Sequence, residues 1–517
     1  MEIDRASGPP PDGNGARSPL STSPASPASG RPRAKIIRNQ NACDACRSRK
    51  VRTRTATPAA TTRATTPTTA SKYYHISRQP GESVIIRHHL TRPTDLRAII
   101  AGAPSPNTTT GSHHSNRLAL FAPEDLIQRM LHDWFEKVHA LAPVLHRRRF
   151  LHRLKAGEAN TDRTFCALVV SVCAATVATL RRVDYSPVTV ERCLDFIEEQ
   201  HLLDHGLRKP VYSLDWCVAM YNIGTSASSM NEDGLGDMGS FHGMSEAAAG
   251  ARFLAYYRMA DLDMSEQQLL KRLFWLIFAA YCADIFGRLS VSIVSHQENR
   301  AHLRPLPLID SQLETGPQLS HAELPPWHGD TTSYVPGLNQ LSDLFLIWHE
   351  AQTSPISLYG GQEEALKHWL AKIQTIIDNF PPELRWRGGL SRPSHITEGH
   401  DTQIANLFIT SLNIRSNLLQ KFGSTVKTRA AEHQRIVDDL LEILYHMPQH
   451  VLEQNGNSLI PKLRDCGAAY MEQMDVGDGA LVSEGARLKL EKLLRKLDDI
   501  DCWPGLPGIE SPQSNRQ

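Results

Sequence analysis

Apolar residues recur at helical spacing through most of this 517-residue chain, and this repetition constrains the fold more than any other feature. Between Pro123 and Leu141 the apolar residues lie three or four positions apart, as on one face of an α-helix: Leu126, Met130, Leu131, Trp134, Phe135 and Val138. The alternation of apolar and polar residues that is typical of strands is almost absent. We therefore predict an all-α protein.

Similar patterns predict further helices near 145–155, 163–181, 188–205, 212–223, 246–261, 265–287, 338–356, 361–379, 400–422, 428–450 and 481–498. Two longer loops are predicted between them. One covers 224–245 and is rich in Gly, Ser and Met, and the other covers 299–337 and is rich in Pro.

The centre of this helical body is expected near 165–180 and 270–287. Phe165–Leu180 is a run of sixteen uncharged and mostly apolar residues. It is short for a membrane span and includes Ser and Thr, so we interpret it as a buried core helix. The second segment contains three aromatic residues that we expect to be buried together: Phe274, Trp275 and Phe278.

The charge of the chain is distributed unevenly, although its total is only +1. Residues 1–120 contain 18 Lys and Arg against 6 Asp and Glu, which is a net charge of +12 and leaves −11 for residues 121–517. A basic arm on an acidic body favours a polyanion as the partner of the arm. The alternative is a solvated basic tail.

The most distinctive motif of the basic arm is CDACRSRKVR, which begins at Cys43. Its second cysteine is Cys46, and a C-x-x-C turn can place two thiolates on one metal ion. A helix after this turn would carry cations towards phosphates and base edges, and four of the next six residues are basic: Arg47, Arg49, Lys50 and Arg52. A redox dithiol is the alternative, but no βαβ pattern surrounds the motif.

This motif resembles the start of the zinc binuclear cluster of fungal transcription regulators, in which six cysteines bind two zinc ions. The resemblance implies that Cys43 and Cys46 are zinc ligands. It also implies that Lys50 reads bases of CGG-type DNA elements, while Arg47, Arg49 and Arg52 hold phosphates. Members of this family usually bind DNA as dimers in the nucleus. The chain departs from the family at the other four ligand positions, which are Thr53, Ala59, Thr62 and Thr69.

The body is similar to the regulatory middle region of the same regulators over roughly 121–390. The similarity lies in DWFEKVHALAPVLHRRRFL, in KRLFWLIFAAYCADIFGRLS with Asp284 and a Gly287–Arg288 turn, and in LRPLPLID and NFPPELRW. It implies an α-helical regulatory domain that works with the transcription machinery and responds to an unknown small effector.

The resemblance and the composition together divide the chain into five segments. We predict a disordered N-terminus (1–34), a degenerate zinc-cluster DNA-binding segment (35–75), a linker (76–120), the helical regulatory domain (121–475), and a C-terminal helix with an acidic-hydrophobic tail (476–517). The tail has the composition of an activation segment, and the alternative is that its Trp503 packs onto the body.

The sequence therefore predicts a nuclear transcription regulator of the fungal zinc-cluster type that is not an enzyme. The alternative is an all-α regulatory or scaffold protein that has lost zinc-dependent, specific DNA binding.

Two other motifs of the sequence do not indicate a functional site. GLGDMG lies in a polar context without a preceding strand, so we interpret it as a loop and not as a nucleotide site. His132, His139 and His146 recur every seven residues, but Pro143 should end their helix, so surface or core positions are expected.

Overall fold

Helices and short helical turns make up most of the described part of the chain, which contains no strand. The computed structural model describes residues 116–501 except 182, 205–210, 231–235, 285–296, 315–326, 390–391, 424–425 and 476–483. The prediction of an all-α fold is confirmed. No helix among the described residues is both long enough and apolar enough to span a bilayer.

The helices are α1 (Glu124–Asp133), α2 (Arg147–Lys155), α3 (Arg163–Thr179), α4 (Val190–Glu199), α5 (Leu214–Met230), α6 (Met238–Phe253), α7 (Met264–Asp284), α8 (Gln297–Leu303), α9 (Asp310–Leu313), α10 (Val335–Thr353), α11 (Gln362–Asp378), α12 (Glu398–Phe422), α13 (Val426–His446), α14 (Gln449–Gln454), α15 (Ile460–Asp475) and α16 (Glu484–Ile500). Single turns of 3-10 helix cover Arg117–Leu120, Glu158–Asn160, Met259–Asp261, His328–Asp330, Ile356–Tyr359, Pro382–Leu384 and Gly456–Ser458. Wider π-helical turns extend α1 over Trp134–Val138 and α6 over Leu254–Arg258.

Every helix predicted from the sequence is present, with ends that shift by several residues. The helix α15 was not predicted. Pro461 and Gly467 interrupt its apolar pattern, although proline is tolerated in the first turn of a helix because the amide there needs no intrahelical partner.

The predicted loop over 224–245 is wrong. Helix α5 continues to Met230, and α6 begins at Met238 after an Asp237 cap that accepts hydrogen bonds from the Gly239 and Ser240 amides. The small residues that suggested a loop instead allow these two helices to pack closely. A Cβ atom on Gly243 would lie 2.9 Å from the Gly224 backbone.

The region 299–337, which was predicted as a proline-rich loop, contains several helical segments. Helix α8 ends within it, and the short α9 and the turn His328–Asp330 lie inside it. Arg304–Ile309 has no regular structure and connects α8 to α9.

The uncharged run forms α3, and its prediction as a buried core helix is confirmed. Asp162 caps its start, since its carboxylate accepts hydrogen bonds from the amides of Thr164 (2.8 Å) and Phe165 (3.1 Å). Nearly the whole helix is buried. Its polar residues are satisfied locally, because the Ser171 and Thr176 hydroxyls donate to backbone carbonyls one turn earlier.

Most of the long helices pack on helices that are close to them in the sequence. Helix α3 packs on α5, α5 on α6, α6 on α7, and α7 on α10. In turn, α10 packs on α12, which contacts α13 and α15. The last helix, α16, packs on α13 and α15 and buries Leu493, Leu497 and Ile500.

The aromatic residues of α7 are buried together, as predicted. Phe274, Trp275 and Phe278 are each at most 1 % exposed. The Trp275 and Phe278 rings meet edge to face with centroids 5.4 Å apart. The Trp275 indole N–H also donates to the Leu303 carbonyl at 2.9 Å, which ties α7 to the end of α8.

Candidate functional site

The site residues predicted from the sequence lie outside the described residues: Cys43, Cys46, Arg47, Arg49, Lys50 and Arg52. The same holds for Gly287, Arg288, the Asp284 side chain and Trp503. Zinc coordination and DNA contact by the basic arm therefore stay predictions from the sequence. In the C-terminal half of GLGDMG, which the structure does describe, Asp237 caps α6 and Met238 begins it, so this part is a helix start and not the predicted loop.

Three segments that carry the resemblance of the body meet around one buried arginine. Arg272, from the KRLFW segment, is 2 % exposed. Its guanidinium donates to the Pro143 carbonyl at 3.2 Å and to the Leu308 carbonyl at 3.0 Å. These carbonyls belong to the LAPVLH turn and to LRPLPLID, so Arg272 joins parts of the chain that are distant in sequence.

Contacts with Asp310, the first residue of α9, also hold the end of the LAPVLH turn in place. The His146 ring contacts the Asp310 carbonyl at 3.0 Å, and the Arg147 amide donates to the Asp310 carboxylate at 3.0 Å. These groups connect backbone segments that are distant in the sequence. We therefore assign this cluster to the stability of the fold.

The histidines spaced seven residues apart do not share a face. His132 is exposed, whereas His139 and His146 are buried, which agrees with the predicted surface or core positions. Burial lowers the pKa of His139, and the nearby Arg272 cation adds to this effect. His139 packs edge to face on Trp134 and Trp327, which indicates a core role.

The main candidate site is a cavity of about 300 Å³ at the centre of the body. Residues of α3, α5, α7, α10, α12 and the start of α15 line it, together with Trp134 and Val138 of the turn that extends α1. Its volume lies at the lower end of the range typical of small-molecule sites, which is roughly 300–1,000 Å³. Most of the lining is apolar and includes Trp134, Leu276 and Phe345.

The polar part of the lining is organised around Lys462, which is 4 % exposed. Its ammonium group donates to Asn406 Oδ1 at 3.0 Å and to Thr410 Oγ1 at 2.7 Å. The Asn406 amide in turn donates to Ser458 Oγ at 3.1 Å. Lys462, Asn406 and Ser458 thus form a connected set of polar groups at the cavity.

Burial lowers the pKa of the Lys462 amine to about 7, because desolvation disfavours its charged form. No carboxylate among the described residues pairs with this amine. The cavity lining contains no Asp, Glu, His or Cys among the residues that the structure describes. The arrangement offers one hydrogen-bonding cation in an apolar cavity, which suits the binding of a ligand.

Sequence reasoning missed this site for identifiable reasons. Lys462 lies in the helix that the pattern did not predict, and Ser226 and Ser229 of the lining lie in a segment predicted as a loop. One signal was present: Lys462 stands between apolar residues on the helix face that carries Leu459 and Cys466. A lysine at such a position is rarely buried without a role or a partner.

Comparison with known proteins returns nothing for this chain: no family model, no curated protein and no solved structure matches it.

Proposed function

We propose that this chain is a nuclear transcription regulator of the fungal zinc-cluster type, with a basic DNA-contacting arm and an α-helical regulatory body. The observation that carries the proposal is CDACRSRKVR at Cys43–Arg52, which couples a C-x-x-C pair to a basic segment. The net charge of +12 over residues 1–120 supports a polyanionic partner. The cavity of the body supports a response to a small effector.

The residues present do not fit a two-zinc cluster. Of the six ligand positions only Cys43 and Cys46 are cysteines, and the threonine and alanine at the others cannot supply thiolates. We therefore expect the arm to attract DNA through the charges of Arg47, Arg49, Lys50 and Arg52. Phosphate attraction needs only charge, whereas base reading needs a helix held in the major groove.

The test is a titration of the full chain with CGG-containing and scrambled duplexes at two salt concentrations. We expect weak binding of both duplexes, in the micromolar range or weaker, with a steep loss of affinity as salt rises. Replacing four of these cations, by Arg47→Gln, Arg49→Gln, Lys50→Gln and Arg52→Gln, should weaken the binding of both duplexes and reduce its dependence on salt. Absence of salt-dependent binding by the unaltered chain would contradict the proposal.

Restoring the ligand set tests the relation to the zinc-cluster family. With Thr53→Cys, Ala59→Cys, Thr62→Cys and Thr69→Cys, we expect metal analysis to find about two zinc ions per chain and binding to favour CGG duplexes. In that background, Lys50→Ala should reduce discrimination by about 1–3 kcal/mol, and Arg49→Ala should weaken all sequences alike. A restored chain without zinc or CGG preference would contradict the family assignment.

The second candidate is an all-α regulatory or scaffold protein that acts through protein partners without specific DNA binding. The four missing ligands favour it. Under this alternative, the four substitutions at Arg47, Arg49, Lys50 and Arg52 would leave the activity of the protein in cells unchanged.

A further inference from the structure

We propose that the central cavity binds a small organic anion with an apolar body, such as a monocarboxylate, and that Lys462 is the counter-ion of its carboxylate. The proposal goes beyond the function given above, because it names the chemical class of the ligand. It concerns binding alone and holds whether or not the chain acts on DNA.

The first step is the hydrogen-bonding capacity of Lys462. A protonated lysine amine has three donors. Two of them are used by Asn406 Oδ1 and Thr410 Oγ1. Both acceptors are neutral groups, so they satisfy donors without neutralising the charge, and a ligand carboxylate can supply both the third acceptor and the missing negative charge.

The second step is the desolvation of this cation. A buried charge is stable only when it is paired, and no described carboxylate pairs with Lys462. The aromatic ring of Phe345, whose centroid lies 5.9 Å from the ammonium nitrogen, supplies only weak attraction. An anionic ligand would therefore gain a charge-assisted hydrogen bond in a setting of low dielectric constant.

The third step concerns polar atoms elsewhere in the lining. Ser226 Oγ and Asn455 Oδ1 are buried, and neither has a hydrogen-bond partner among the described residues. Ser226 and Asn455 are at most 2 % exposed. Because a buried polar atom without a partner is costly, a polar substituent of the ligand would gain affinity if it reached either atom.

The fourth step is the shape and polarity of the rest of the cavity. Trp134, Leu276, Ala279 and Phe345 form apolar walls, which suit the hydrocarbon part of the ligand. Pro461 is an exposed residue of the lining and adjoins Lys462. The lining of the cavity therefore includes a surface residue next to the buried Lys462.

The experiment compares three ligands of matched length on the full chain by isothermal titration calorimetry. Decanoate carries the carboxylate, decanol is its neutral counterpart, and decyltrimethylammonium carries the opposite charge. We expect decanoate to bind about tenfold or more tightly than either of the others. Equal binding of decanoate and decanol, or no binding of decanoate, would overturn the proposal.

Variants then locate the site. Lys462→Met keeps the length of the side chain and removes its charge, so it should weaken decanoate about tenfold or more and leave decanol unchanged. Ala280→Phe fills the cavity wall and should weaken both ligands. Lys367→Met, at an exposed lysine outside the cavity, is the matched control and should change neither. Unchanged decanoate binding by Lys462→Met would refute the assignment of Lys462 as the counter-ion. If this variant does not fold, the comparison of the three ligands on the unaltered chain still decides whether the protein prefers an anion.

Discussion

Lys462 is a buried residue of a type that is normally exposed to water. Lysine normally keeps its ammonium group in water, but here helix α15 and the walls of the cavity bury it. Its two hydrogen bonds compensate only part of the lost hydration. The residue is therefore expected to reduce the stability of the ligand-free protein wherever it is charged.

The stability of the folded chain should depend on pH through Lys462. Its pKa is about 7 in the folded state, against an ordinary value of 10.5. Between these values the unfolded chain binds the extra proton, so the contribution of this residue to stability rises as pH increases from about 7. Relative to Lys462→Met, the unaltered chain should gain about 2 kcal/mol of unfolding free energy between pH 7 and pH 9.

Denaturant unfolding of both proteins at the two pH values measures this difference. Asp465 lies on the same helix, and burial raises its pKa to about 6; its titration affects both proteins and largely cancels in the comparison. A difference between the two proteins that stays constant with pH would contradict the prediction.

Trp275 is the second residue for which we predict how a substitution changes the free energy of unfolding. It is 1 % exposed, packs on Phe278, and loses a hydrogen bond to Leu303 when truncated. Trp275→Ala should therefore lower the free energy of unfolding by about 3–5 kcal/mol. Tyr257→Ala, at an aromatic residue that is 78 % exposed, is the control and should change it by about 0.5 kcal/mol or less. A similar effect of both substitutions would show that Trp275 is not a core residue.

At the scale of elements, the pair α5 and α6 depends on residues without side-chain bulk. Gly224 and Gly243 face each other, and the Ser240 hydroxyl donates to the Gly224 carbonyl at 2.7 Å. This close approach lets α5 present its serines and Asn222 to the cavity. The glycines thus determine the position of one wall.

Alanine at two helical glycines should act in opposite directions. A Cβ atom at Gly243 would lie 2.9 Å from the Gly224 backbone, so the helices must separate. Gly243→Ala should destabilise the protein by about 1–3 kcal/mol despite the better helix propensity of alanine. At Gly467 the new atom would meet Leu493 Cδ2 at an ordinary 3.5 Å, so Gly467→Ala should be neutral or stabilise by up to about 1 kcal/mol. Thermal unfolding of both variants tests the contrast, and stabilisation by both would refute the close contact.

At the scale of the whole molecule, contacts between distant parts of the chain hold the two ends of the body together. Arg181, just after α3, donates to the Asp501 carboxylate at 2.6 Å and to the Ser229 carbonyl at 3.0 Å. Arg464 of α15 pairs with the same Asp501. Through these residues the end of α16 is tied to α3, α5 and α15.

Asp501→Asn should therefore destabilise the body more than a typical surface change. Arg181 is 6 % exposed and would keep its charge without the carboxylate partner that Asp501 provides. We expect a loss of about 1–3 kcal/mol in denaturant unfolding. Glu491→Gln breaks the exposed pair with Arg495 and should cost less than about 0.5 kcal/mol. Equal effects of the two changes would show that the contact between Arg181 and Asp501 contributes little.

The sequence by itself determined the fold class and most of the helices, because both depend on a local repeat. The apolar spacing of segments such as Glu124–Asp133 and Met264–Asp284 identifies the buried face of each helix without knowledge of its partner. The burial of Phe165–Leu180 and of Trp275 followed in the same way. The basic motif at Cys43–Arg52 is likewise a local feature, and its interpretation rests on the sequence alone.

Only the tertiary structure decided what the small and polar residues do. Glycine and serine at 224–245 have weak local preferences for helix, so their helices exist because two close-packed backbones stabilise each other. Whether Lys462 faces water or a cavity depends on Asn406 and Thr410, which lie more than fifty residues away in the sequence. Local periodicity carries no information about such long-range contacts, and the central cavity consists of them.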